Sequence, residues 1–229
     1  MKTITISMAL AWGVISCMPS AFAADMQSRS GQRSGHSEKA CTEMSAEEAT
    51  KLGFIQQVLA EGKPHAALAH LDAARIKGEQ AELLRANALR QTGRVAQAQA
   101  IYEQLVNSSC VSGHAYRGLG LIASNAGDQP ASLRYLEAAS HALPADYTIR
   151  NDYGYVLMQA GSYEQALHEF LTALELAPDY RQAANNLVLL LYRQGKPARA
   201  EAFAKQFGIN ATEMQQLQTL AQNGHQATP

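Results

Sequence analysis

The stretch Asn151–Pro178, NDYGYVLMQAGSYEQALHEFLTALELAP, decides the fold. It reads as two antiparallel helices joined by a tight turn. Gly154 places a small residue in the middle of the first helix, and Gly161 ends that helix. Ala166, Phe170 and Ala173 form an i, i+4, i+7 stripe on the second helix, and Pro178 stops it. A lone hairpin of this kind leaves an apolar face on each side, so it needs neighbours.

The chain supplies them. Gly62, Gly93, Gly127, Gly161 and Gly195 are spaced by 31, 34, 34 and 34 residues. Ala67, Ala98, Ala166 and Ala200 each follow their glycine by five residues, and Ser132 takes that place in the middle unit. Leu71, Tyr102, Leu136, Phe170 and Ala204 come four residues later. Ala74, Leu105, Ala139 and Ala173 come three after those. Pro144 and Pro178 keep the same 34-residue period. A helix–turn–helix period of 34 with small residues where helices approach resembles the tetratricopeptide repeat (TPR) family over about residues 46–208. Two departures stand out: the aromatic expected early in the first helix appears only as Tyr116, and the first unit is three residues short.

The chain has 229 residues, enough for one repeat domain. Its formal charge of −1 gives no electrostatic footing for nucleic acid. Ala, Leu and Gln dominate after residue 45 and β-branched residues are sparse, which favours an all-helical fold. The predicted class is therefore all-α, a solenoid of about five TPR units with a C-terminal capping helix.

The amino terminus carries an address. Lys2 precedes the apolar run from Ile4 to Ser16, which is too short and too soon followed by Pro19 to span a membrane. Two processing sites stand side by side. Ala21-Phe22-Ala23 offers an ordinary A-x-A cleavage, leaving residues 1–23 as signal peptide. Val14-Ile15-Ser16-Cys17 offers a relaxed bacterial lipobox, leaving 1–16 as signal and Cys17 as a lipidated first residue. Both routes place the mature protein outside the cytoplasm: periplasmic, or anchored to the outer membrane. Residues 24–44 are rich in Ser, Gly, Gln and Arg and read as a flexible linker. Either route leaves Cys41 and Cys110, and two cysteines in an oxidising compartment suggest one disulfide. Two stacked repeats span about 20 Å, and the extended segment from Cys41 to Glu48 reaches about 24 Å. Reach therefore permits a bridge, with two free thiols as the alternative.

Order begins at Ser45, whose Ser45-Ala46-Glu47-Glu48 run is a capping box. Helix pairs are predicted at 46–60 and 64–76, 79–91 and 95–107, 113–126 and 130–142, 147–159 and 163–176, and 181–193 and 197–207. Pro64, Pro130 and Pro197 fall in first turns, where a missing N–H costs little. The repeats fill 45–208. Asn210-Ala211-Thr212-Glu213 opens a capping helix within 209–222, striped by Met214, Leu217, Leu220 and Ala221. Residues 223–229 read as a frayed tail.

No catalytic constellation emerges, so an enzyme, a metal site and a cofactor are not expected. His168-Glu169 lacks the second His of a zinc-protease helix. His65 and His70 lie on a solvent-leaning helix. Gly118-x-Gly120 sits inside a helix with no preceding strand, which is repeat packing rather than a dinucleotide loop.

What the TPR resemblance implies is a binding surface: the first helix of each unit lines a concave groove that holds a protein partner. Mapped onto this chain, the groove candidates are Gln56, Asn87, Arg90, Arg117, Leu121, Asn151, Tyr155, Met158, Asn185, Leu189 and Tyr192. Tyr, Asn and Arg suit peptide recognition by apolar contact plus hydrogen bonds. The carboxylate-clamp class of TPRs uses a Lys and Asn pair one helical turn apart. The corresponding pairs here are Leu52/Gln56 and Leu83/Asn87, which disfavours that role.

The runs Asn151-Asp152-Tyr153-Gly154-Tyr155, Ala173-Leu174-Glu175-Leu176-Ala177-Pro178-Asp179 and Asn185-Asn186-Leu187 resemble the TadD family of Flp (Tad) pilus assembly proteins. That resemblance implies a lipoprotein scaffold helping to assemble a pilus or secretion apparatus at the outer membrane, with Cys17 as anchor. The alternatives are a periplasmic adaptor or a regulatory subunit for cell-wall or outer-membrane biogenesis.

Overall fold

The computed structural model describes residues 44–226. These lie within a unit spanning residues 39–229. The processing sites, Cys17, Cys41 and almost all of the expected linker lie outside the described residues.

Among the described residues the backbone forms eleven helices and no strand. They are α1 (Ala46–Ala60), α2 (Pro64–Ala74), α3 (Glu79–Gln91), α4 (Val95–Leu105), α5 (Ser112–Asn125), α6 (Gln129–Ala142), α7 (Tyr147–Gln159), α8 (Tyr163–Leu176), α9 (Arg181–Arg193), α10 (Pro197–Gln206) and α11 (Ala211–Gln226). Each odd-numbered helix up to α9 pairs with the next to form one unit, and consecutive units pack in chain order. This is the all-α TPR architecture predicted from the glycine register.

The same device closes every hairpin. Gly62, Gly93, Gly127, Gly161 and Gly195 have φ between 67° and 80°. That left-handed conformation strains any residue carrying a Cβ. It lets two backbone N–H groups turn back onto the last helical turn. At Gly161 the glycine N–H reaches the Met158 carbonyl at 3.2 Å, and Ser162 N–H reaches the Leu157 carbonyl at 2.9 Å. This Schellman pattern caps two carbonyls that would otherwise be orphaned. It recurs at the other four glycines and again at Gly208.

The stripe residues are the core. Ala67, Ala98, Ala166 and Ala200 are completely buried, as are Tyr102, Leu136, Phe170 and Ala204. Ser132 replaces alanine without penalty because its hydroxyl donates to the Gly120 carbonyl at 3.0 Å. The mid-helix glycines make room for the large side chains. A Cβ on Gly154 would lie 2.8 Å from the Phe170 ring, and one on Gly118 would lie 2.3 Å from Tyr102.

Three helix ends differ from the prediction by two residues or more, and several others by one. Helix α2 stops at Ala74, not 76, because Arg75 turns left-handed at φ 51°. Helix α4 stops at Leu105 rather than 107, where the chain turns into the Ser108 loop. Helix α11 runs on to Gln226, past the expected end at 222, so the start of the presumed tail is helical. Both capping boxes form. Ser45 exchanges bonds with Glu48, and Asn210 with Glu213 at 3.0 Å each way. Arg181 clamps α11 in place through the Phe207 and Gly208 carbonyls and Glu213.

Candidate functional site

The inner helices α1, α3 and α5, with the segment joining α6 to α7, wall an open groove of about 1160 Å³. Gln56, Asn87, Arg90, Arg117 and Leu121 all line it, so the structure brings together the predicted candidates from the first three units. Leu52, Leu83, Leu84, Leu143 and Pro144 supply its apolar wall.

A polar chain runs along the floor. Tyr102 comes from α4 and threads its ring over Gly118 of α5. Its hydroxyl donates to Asn87 Oδ1 at 2.7 Å. Burial pushes the Tyr102 hydroxyl up, and the nearby charges of Arg90 and Arg117 only partly offset this, so it stays a neutral donor. Arg117 donates through Nε to Asp152 of α7 at 2.7 Å. Burial works against the Arg117 charge, but the Asp152 carboxylate more than compensates and raises its pKa. Arg90 forms no ion pair among the described residues, and its Nε is buried without a hydrogen-bond acceptor.

The rim near α7 carries charge and rings. Asp146 caps α7 by accepting from Thr148 N, Thr148 Oγ1 and Ile149 N at 2.8, 2.6 and 3.2 Å. Burial raises the Asp146 carboxyl, but these donors outweigh it and the net direction is down. His114 Nδ1 lies 3.8 Å from Asp146 Oδ2. Burial lowers the His114 pKa despite Asp146, with Arg117 adding to the lowering, so the ring is neutral near pH 7. Tyr147 and Tyr180 meet edge to face at 4.8 Å, and burial followed by Asp152 pushes the Tyr180 hydroxyl up to about 12.

The candidates from the last two units are arranged differently. Asn151, Met158 and Leu189 are buried, at 0%, 1% and 6% exposure. Their expected place on an open surface is corrected accordingly. Asn151 Oδ1 accepts from Asn186 Nδ2 of α9 at 2.9 Å, so its amide joins two units. Met158 and Leu189 belong to the carboxy-terminal core with Phe170. Asn185 and Tyr192 are half-buried, and the Oδ1 of Asn185 is sealed from solvent. Tyr155 alone of this group is exposed, its hydroxyl accepting from Gln159 Nε2 at 2.9 Å.

Asp152, Asn186, His114, Asp146, Tyr147 and Tyr102's role in the floor were missed by sequence reasoning. A signal for some of them existed. The bonded pairs Arg117/Asp152 and Asn151/Asn186 are both 35 residues apart, one more than the repeat. Searching polar pairs at that offset finds both. Cys110 also lines the groove and is disulfide-bonded, while its expected partner Cys41 lies outside the described residues.

Comparison with known proteins agrees with the repeat fold. The tetratricopeptide repeat family model matches residues 83–147, 117–179 and 151–207. A TPR repeat-containing protein of Pseudomonas aeruginosa is 30% identical over 181 residues, covering 79% of this chain and 73% of that one. Among solved structures, a thermophilic TPR protein of Thermus thermophilus superposes with a TM-score of 0.57 at 21% identity, covering 78% of this chain and 98% of that one. MamA of Desulfovibrio magneticus RS-1 superposes with a TM-score of 0.53 at 18% identity, covering 77% and 99%. At these identities the structural likeness speaks for the fold alone.

Proposed function

This chain belongs to the tetratricopeptide repeat family, and from that premise we propose that it is an exported, non-catalytic scaffold that seats a segment of a partner protein in the groove of α1, α3 and α5, in the service of pilus or secretion-apparatus assembly of the Flp (Tad) kind. Proteins of this family act as protein-interaction scaffolds. The observation that carries the reading is the groove itself: it is large, open, and combines apolar walls with polar side chains at its floor. Groove walls of this composition bury a peptide's apolar side chains while orienting its polar ones. Export is supported by the charged start and short apolar run of residues 2–16 with their adjacent processing sites. The pilus assignment is supported by the resemblance of the NDYGY, ALELAPD and NNL runs to TadD.

The test is co-purification from native cells after chemical crosslinking, paired with pilus counts in a deletion strain. Recovery of pilus or secretin components with lost piliation is expected. Recovery of peptidoglycan enzymes alone, with normal pili, rejects the pilus assignment and favours envelope maintenance. Palmitate labelling that disappears in Cys17→Ser identifies the lipoprotein route; an unlabelled parent identifies ordinary secretion.

A further inference from the structure

The groove holds an unmatched cation. Its charged lining residues are Arg90, Arg117 and Asp146. Arg117 is neutralised by Asp152 from beneath the floor, and Asp146 is committed to capping α7. Arg90 is left without a carboxylate among the described residues, and its Nε is buried with no acceptor. A buried donor without a partner is a free-energy cost that native structures rarely carry unless something else meets it. Asn87 stands one helical turn before Arg90 on α3, and its Oδ1 is already taken by the Tyr102 hydroxyl. That bond leaves the Asn87 amide nitrogen as its donor toward the groove. Two donors, one of them charged, thus line a cleft whose apolar wall is built by leucines and Pro144, with Gln56, Gln80 and Thr148 among its other polar lining residues.

We propose that Arg90 and Asn87 form an anchoring subsite for an acidic side chain, Asp or Glu, carried within an extended, otherwise apolar segment of the partner protein. This rests on the groove being the partner site. It adds which chemistry is selected there: an anion flanked by apolar residues. Charge-assisted hydrogen bonds to an arginine are stronger than neutral ones, and the apolar walls reduce screening around the pair. The subsite differs in kind from a salt bridge on the rim, because Arg90 is half-buried and fixed beside the Tyr102 hydroxyl before any ligand arrives.

The experiment is fluorescence polarisation with pools of labelled, C-terminally amidated twelve-residue peptides of Leu, Ala, Ser and Tyr. The pools differ only at two central positions, which are Glu, Gln or Lys, and a fourth pool carries central Gln with a free C-terminus. The expected result is binding of the Glu pool about tenfold to a hundredfold tighter than the Gln pool. Arg90→Gln should erase that preference while leaving the helical circular dichroism signal unchanged, and Arg90→Lys should retain part of it. Equal binding of Glu, Gln and Lys pools, unchanged in Arg90→Gln, overturns the acidic subsite while leaving peptide binding in the groove intact. Binding only of the free C-terminus pool also overturns it, in favour of terminal capture. No binding of any pool, when the native partner crosslinks elsewhere, overturns both the subsite and the groove reading.

Discussion

The inner faces of the two halves of the repeat stack are built from equivalent positions, and most of these end in different states. Ten and six residues before the turn glycine stand Leu83 and Asn87 in the second unit, Arg117 and Leu121 in the third, and Asn151 and Tyr155 in the fourth. In the second and third units these side chains line an open groove. In the fourth, Asn151 is fully buried and bonded to Asn186 of the next unit, and Tyr155 stays exposed. Leu189 and Met158 are likewise taken into the carboxy-terminal core. The difference teaches that a repeat position does not assign a role. Whether the neighbouring helix offers a partner for the side chain decides between packing and recognition. Arg117 lies at the boundary: it lines the groove and also bonds to Asp152 of the fourth unit.

The sharpest way to separate the halves is to damage the closed one. Phe170→Ala removes a fully buried ring packed against Gly154. It should cost about 3–5 kcal/mol. Because repeat stability is a sum of local and nearest-neighbour terms, hydrogen exchange should accelerate through α7–α11 more than through α1–α4. Affinity for a groove peptide should hold wherever the variant remains folded. Uniform acceleration across all helices would mean the halves do not behave as distinct regions.

Asp152→Ala acts on the seam. It strands Arg117, whose side chain is about a third exposed, so the loss should be near 2 kcal/mol rather than the full cost for a buried pair. Affinity for an acidic groove peptide should rise, because Arg117 is left in the groove as a second unpaired cation. Glu213→Ala breaks the more exposed pair with Arg181 at the far end and should cost less, with peptide affinity unchanged. Equal stability losses from both variants, with peptide affinity unchanged in each, would erase the distinction between seam and end. Denaturant midpoints and polarisation titrations read both.

The smallest effect expected is a pH dependence confined to the groove rim. The His114 pKa is lowered by burial, so the folded chain keeps the ring neutral where the unfolded chain takes a proton. Its contribution to stability is full above the unfolded value of about 6.5 and is lost as pH falls through the lowered folded value. Asp146 is also lowered on balance, and its contribution is lost only in the acid range below the usual carboxylate value of about 3.9. In an NMR titration His114 should have its midpoint below 6.5. Asp146→Asn should lower it further, because the carboxylate is what favours the charged ring. An upward shift in that variant would contradict the assignment.

Much of the fold was legible because its signals are local. A glycine that must be left-handed, a proline that tolerates only a first turn and two reciprocal capping boxes each constrain a few residues of backbone. Most helix ends therefore fell within a residue of expectation, and the misses at Arg75 and Leu105 lie where no such punctuation stands. The site was legible only in part. Gln56, Asn87, Arg90, Arg117 and Leu121 follow from the inner-helix register alone. Asn151 and Leu189 follow the same register and were misplaced, because their burial is decided by side chains a repeat away. Tyr102 escaped notice for another reason. It occupies a core stripe position, yet its ring is long enough to deliver a hydroxyl to the groove floor over Gly118.

The partner is expected to occupy the amino-terminal groove and not the closed inner face beyond it. Photo-crosslinking in native cells tests this directly, with benzoylphenylalanine placed at Leu121 in one strain and at exposed Gln159 in another. A single partner band from the Leu121 position, absent from the Gln159 position and diminished by Arg90→Gln, is the predicted result. The same band from Gln159 and none from Leu121 would contradict it.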